Sequence, residues 1–158
     1  MNTIGVVFLE LIVFIFVILN LDKRKKRKVK VLEQEIEKQT SYAQLYCHWL
    51  EAKNNGESSE KFFQELGYKK IAVYGMGEMA SRLLEELKES SITILYGIDQ
   101  NACCTISTIS EVYSPDDELM DVDVIVVTPF MSFPAIKQKL EQKVTCPIIS
   151  IEEVIWSI

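Results

Sequence analysis

Gly75 and Gly77, separated by Met76 and followed by Ala80, spell G-x-G-x-x-A. Glycines at this spacing suit a phosphate cradle. The first permits a tight turn, the second lets backbone approach a phosphate, and a small third residue lets helix and strand pack closely. The segment before them, Ile71–Tyr74, is apolar and partly β-branched, as in a buried strand; the segment after them, Glu78 to Lys88, has helical spacing. That context turns the glycines into a candidate anion site, because unpaired N–H groups at a helix start face an anion and the helix dipole favours it. A structural glycine turn with no ligand is the competing reading. About 20 residues further on, Asp99 ends a second apolar run, Ile92 to Ile98, where a ribose hydroxyl finds its acceptor in such sites. Asp99 is equally suited to a turn, since it opens Asp-Gln-Asn. Thr128, Pro129 and Phe130 end another run, Asp123 to Thr128, and join the same crevice. The candidate cofactor-binding residues are therefore Gly75, Met76, Gly77, Ala80, Asp99, Thr128 and Pro129.

No metal site and no catalytic residue is assigned. Cys47, Cys103, Cys104 and Cys146 contain no C-x-x-C pair, and the lone His48 completes no zinc set. Reduced cysteines in a cytosolic domain are the simple reading. His48 lies among aromatics, where a structural role is expected.

These residues need elements to hold them. Leu83, Leu84 and Leu87 mark the buried side of the helix after the glycines, with Arg82, Glu85, Glu86 and Lys88 on its wet side. Asn101 to Ser110 reads as a variable loop and Val112-Tyr113 as an edge strand. Ser114-Pro115-Asp116-Asp117-Glu118 carries a helix-start signal. A helix over Phe133 to Glu141, a strand over Cys146 to Ser150 and a closing helix over Ile151 to Ile158 follow, the last with Val154, Ile155 and Trp156 as apolar cover. Alternating strands and helices predict an α/β fold: a Rossmann-like parallel sheet of about five strands, order 3-2-1-4-5, with helices on both faces. Ligands would bind beyond the carboxyl ends of strands one, two and four.

The first third of the chain differs. Thr3 to Leu21 is almost wholly apolar with Glu10 its one charge, and nineteen residues at 1.5 Å rise span roughly 28 Å. Lys23–Lys30 then carries seven basic residues, whereas the chain beyond Lys30 has ten basic against twenty-one acidic, near −11. The expectation is a single-pass transmembrane anchor over 1–22 with the C-terminal domain cytoplasmic at the cell membrane, the basic block against anionic lipid. Glu10 within the span raises a helix partner as one option and a tolerated neutral carboxyl as the other. The acidic remainder argues against a nucleic-acid partner. Val29, Leu32, Ile36, Gln39, Ala43, Tyr46 and Leu50 form a heptad seam broken at Gln39, which raises homo-oligomerisation. Residues 23–67 are read as a basic juxtamembrane segment and helical connector, with a short helix from Glu60 to Leu66 stopped at Gly67, and 68–158 as the nucleotide-binding domain.

Val-Tyr-Gly-Met-Gly-Glu-Met-Ala-Ser-Arg-Leu, Tyr-Gly-Ile-Asp-Gln-Asn and Asp-Val-Ile-Val-Val-Thr-Pro together resemble the Rossmann-like domain of bacterial capsular and exopolysaccharide biosynthesis proteins of the nucleoside-diphosphate-sugar epimerase/dehydratase kind. The resemblance covers roughly Tyr68 to Ser150. It implies Gly75, Gly77 and Asp99 as nucleotide contacts, NAD(P) or a nucleotide-sugar as ligand, and polysaccharide-assembly proteins as partners. The chain departs from that family in three ways. No tyrosine has a lysine four residues on, no second domain holds a sugar, and Glu78 puts a carboxylate at the helix start. The leading expectation is a membrane-anchored nucleotide or nucleotide-sugar binding module in envelope polysaccharide biosynthesis, without an enzyme activity of its own. A reduced epimerase or oxidoreductase needing a partner, and a degenerate domain acting as a protein-interaction scaffold, stand as alternatives.

Overall fold

The computed structural model describes residues 3–101, 109 and 111–158. Most of the expected Asn101–Ser110 loop, with Cys103 and Cys104, lies outside them. So do the side chains of residues 3–13, 15 and 17, including Glu10. The chain divides into two compact units, Met1–Ala43 and Gln44–Ile158.

Helix α1 runs Thr3–Asn54, 52 residues, and belongs to both units. Within the first unit most of its described side chains are solvent-facing, Asn20, Ser41 and Tyr42 being half-buried: Val29, Leu32 and Ile36 of the heptad seam are all exposed. Lys26 pairs with Asp22 one turn away at 2.9 Å.

The expected transmembrane anchor is corrected here. Among the described residues no helix is long and apolar enough to cross a membrane. Much of the apolar sequence behind the expectation falls on residues 3–13. From Phe14 onward the helix reaches Asp22 and the basic block within two turns or so, and any stretch long enough to span must take those charges in. The fold class is thus an α/β domain preceded by one long helix, apolar in its first turns and charged from Asp22 onward.

The second unit is built on a five-stranded parallel sheet in the order β3-β2-β1-β4-β5. Its strands are β1 (Lys70–Tyr74), β2 (Thr93–Ile98), β3 (Val112–Tyr113), β4 (Val124–Val127) and β5 (Ile148–Ser150). The helices are α2 (Ser59–Glu65), α3 (Glu78–Leu87), α4 (Phe133–Leu140) and α5 (Ile151–Trp156). The central strands are apolar throughout because both faces are covered: Ile71, Ala72, Val73 and Val124 to Val127 have no exposed surface. Side-chain alternation sorts them. Ala72, Tyr74, Tyr96, Ile98, Ile125, Val127 and Ile148 share one core with Leu140 of α4, with Phe133 and Ile136 packed against it. Ile71, Val73, Val124 and Val126 face the other way, toward the layer where α2 packs on α3 and α5.

α2 shows how local rules and distant partners combine. Its end follows from Gly67, in left-handed backbone at φ +75°, where Gly67 N–H reaches Gln64 O and Tyr68 N–H reaches Phe63 O, the pairing that closes a helix at glycine. Its start has no side-chain cap of its own. The Glu86 carboxylate of α3 supplies one: Oε1 accepts from Ser59 N–H and Ser59 Oγ, both at 2.7 Å, and Oε2 accepts from Trp49 Nε1 of α1 at 2.6 Å. Glu86, expected on the wet side of α3, instead joins α1, α2 and α3.

Two further expectations change. Ser114–Glu118 makes a hydrogen-bonded turn rather than a helix: Asp117 N–H donates to Ser114 O and Ser114 N–H to the Asp117 carboxylate, so the aspartate side chain takes up the amide that opens the segment. Trp156 does not cover the core; it is 54% exposed and stacks on His48 with centroids 4.3 Å apart.

Candidate functional site at the carboxyl edge of the sheet

β1 ends in Tyr74, and the chain then turns under three constraints. Gly75 takes φ +88°, and a Cβ there would stand 2.6 Å from the Pro129 ring, so glycine is required twice over. Thr128, 4% exposed, donates its hydroxyl to Gly75 O at 2.6 Å and sits 3.2 Å from Tyr74 O. Met76 folds its side chain over β2 against Gly97: a Cβ there would lie 2.5 Å from Met76 Sδ, so the flexible methionine side chain would have to shift. The Met76 N–H, meanwhile, donates to Asp99 Oδ2 at 2.8 Å, and Asp99 Oδ1 accepts from Asn101 N–H at 2.8 Å.

Each sequence-predicted residue therefore has a definite place. Gly75, Asp99 and Pro129 line one cleft of 390 Å³ beyond the ends of β1 and β4, where the strand order reverses. Met76 and Ala80 are buried in packing, and Thr128 is buried as a lock on the turn. Gly77, the extended residue before α3, is exposed and meets nothing within 4 Å of a Cβ position. The Asp99 carboxylate, expected to face a ribose, is engaged by two backbone amides, though each oxygen keeps a lone pair for another donor. Glu78 at the start of α3 pairs with Arg82 at 2.6 Å, and Arg82 also meets Glu85 at 3.2 Å.

The cleft draws on residues that sequence reasoning did not single out. Gln100, Ser132 and Lys139 complete its polar lining, and Ile136 its apolar side. A neighbouring hollow of 510 Å³ shares Tyr74, Gln100, Ile136 and Lys139 and extends toward Ser114 and Lys143. Lys143 is committed there: its ammonium donates to Pro115 O at 2.6 Å. Lys139, exposed on α4, has no hydrogen bond or ion pair among the described residues. Burial raises the Tyr74 hydroxyl's pKa, against a hydrogen bond with Gln100 that lowers it. Phe133 and Pro134 start α4 and fix where Lys139 emerges, a positional consequence that no local motif announces.

A hollow of 270 Å³ beside Trp49 and Arg82 is a weaker site, because the Glu86 carboxylate in its wall already serves three donors. His48 is remote from the chemistry: its Nε2 is buried without a partner and its ring lies on Trp156. Among the described residues no cluster of His, Cys, Asp and Glu fits a metal. No protein-family model, curated protein or solved structure matches the chain.

Proposed function

We propose that the Gln44–Ile158 unit binds a nucleotide or nucleotide-sugar in the cleft at the carboxyl edge of its sheet, serving polysaccharide assembly as the family resemblance implies. One observation carries the reading: the cleft lies at the switch point between β1 and β4 and is lined by Gly75, Asp99, Pro129 and a lysine with no partner among the described residues. Its volume falls within the roughly 300–1,000 Å³ of small-molecule sites. A thermal-shift series of the full chain against NAD(H), NADP(H), CoA and UDP-sugars tests it. A ligand at 100 times its dissociation constant adds about 2.7 kcal/mol of stability. No shift with any of them at millimolar concentration refutes the proposal.

The scaffold reading has its own support. The turn satisfies itself through Asp99, Thr128 and Met76, as a turn serving only packing would. If nucleotides fail, it is the reading that remains. The epimerase reading has less behind it: Tyr74 shares the cleft with Lys139, yet burial raises its pKa and works against the phenolate that a tyrosine base requires. On this proposal the exposed Val29–Ile36 seam of α1 remains available for self-association.

A further inference from the structure

The geometry points to a phosphate anchor on α4 rather than on the glycine turn: we infer that the nucleotide's phosphate is held by Lys139, in the cleft between β1 and α4. This deepens the proposed function and rests on it.

The glycine turn is poorly placed to receive an anion. Its Met76 N–H, which a phosphate oxygen would need, donates to Asp99 Oδ2 at 2.8 Å. That carboxylate stands where the incoming charge would come to rest, and like charges repel most where water is thin. Glu78 adds a second carboxylate at the start of α3, held one turn from Arg82, so the helix already has an anion at its positive end. Gly77 faces open solvent and does not line the cleft.

The α4 wall has the opposite character. Lys139 carries a full positive charge, has no partner among the described residues and lines both the 390 Å³ cleft and its 510 Å³ neighbour. Ser132 lies in the same lining and offers a hydroxyl, while Ile136 gives a base or sugar an apolar surface. Asp99, across the cleft, keeps acceptor capacity for a hydroxyl. One wall thus suits a phosphate and the other a sugar.

The test uses UDP-glucose and NAD⁺ as probes on the full chain, with dissociation constants measured by calorimetry for wild type, Lys139→Gln, Lys139→Arg and Gly77→Ala. Both sites tolerate the change. Lys139 is exposed and unpaired among the described residues, and a Cβ at Gly77 meets nothing within 4 Å at an ordinary backbone angle, so unaltered melting curves are expected without ligand. For whichever probe binds, Lys139→Gln weakens affinity tenfold to a hundredfold, the loss expected when a charged hydrogen bond is removed. Lys139→Arg recovers most of it, Gly77→Ala changes it less than twofold, and the wild-type affinity falls with salt more steeply than that of Lys139→Gln. Affinity lost in Gly77→Ala and kept in Lys139→Gln puts the phosphate on the turn and overturns the inference while leaving nucleotide binding intact. Binding that neither variant alters also overturns it. Failure of both probes on wild type at millimolar concentration overturns the anchor and the binding proposal together.

Discussion

The glycine turn and the helical cover each close on one carboxylate, Asp99 in the first and Glu86 in the second. Asp99 reaches Met76 across the edge of two paired strands, β1 and β2, whose register already brings Tyr74 opposite Ile98. Glu86 reaches Ser59 and Trp49, 27 and 37 residues away, across three helices. The first carboxylate fastens a turn whose shape is also set by Gly75 and Thr128. The second supplies the only side-chain cap that α2 receives among the described residues. A turn with several locks should fail only where the backbone itself is violated, and a junction with one lock should fail when that lock is removed.

The largest effect is expected at Gly75. Gly75→Ala forces a side chain into left-handed backbone and against the Pro129 ring, at a cost of roughly 2–5 kcal/mol. Gly77→Ala, two residues on, should stay within about 0.5 kcal/mol. Urea unfolding of the two variants separates them; equal losses would mean that the turn depends on composition rather than on φ at one residue.

Next comes Glu86→Ala, which leaves Trp49 Nε1, Ser59 N–H and Ser59 Oγ without their acceptor. Glu86 is half-buried and water replaces part of the loss, so about 1.5–3 kcal/mol is expected. Hydrogen exchange should rise in α2 and in the last turns of α1 before it rises in β1. Uniform acceleration across the sheet would show that the helical cover is not a separate unit of stability.

These two sites also show what could be read from sequence. The strands and their order were legible because buried parallel strands are continuous apolar runs and right-handed crossovers leave few arrangements. Gly75 was legible from strand, glycine and helix in succession. Glu86 was not: on a helical wheel it falls among Arg82, Glu85 and Lys88, and only the arrival of α2 shows that its carboxylate has company. Lys139 was hidden in a different way. Nothing local distinguishes it from Lys137 or Lys143, and its importance comes from the cleft that α4 forms with β1. The span expected at the N-terminus rested on hydropathy summed up to a block of charge, and among the described residues that sum falls short.

A smaller effect is expected from Tyr96→Phe on the α4 side of the sheet. Tyr96 is fully buried, lies edge-on to Tyr113 and donates to Met120 O at 2.6 Å. Losing that bond costs about 1 kcal/mol. Burial raises the Tyr96 pKa from 10.0 to about 12. A raised folded pKa means stability that is intact below pH 10 and declines as pH rises toward 12, since the unfolded chain ionises first. Alkaline melting curves should show this decline in wild type and a shallower one in Tyr96→Phe. Parallel curves would exclude Tyr96 as its source.

The smallest effect is expected at the amino edge, where Asp123 does for the start of β1 what Asp99 does beyond its end. Its Oδ2 accepts from Lys69 N–H and Lys70 N–H, both at 2.7 Å. The Lys70 amide, then the Lys69 amide, hold its pKa below the ordinary 3.8. A depressed folded pKa gives stability that is present above pH 3.8 and lost as pH falls through the lower folded value, because the unfolded chain takes up the proton first. Asp123→Asn keeps an oxygen for the two amides and removes the titration. The variant should melt near wild type at pH 7 and lose less on acidification from pH 4 to pH 2.5. Glu60, its pKa lowered by the backbone and hydroxyl of Ser91, titrates in the adjoining range, so Asp123→Asn must be compared with Glu60→Gln and with the double variant. An acid slope untouched by Asp123→Asn but flattened by Glu60→Gln would move the acid-sensitive contact from the strand to the helical cover.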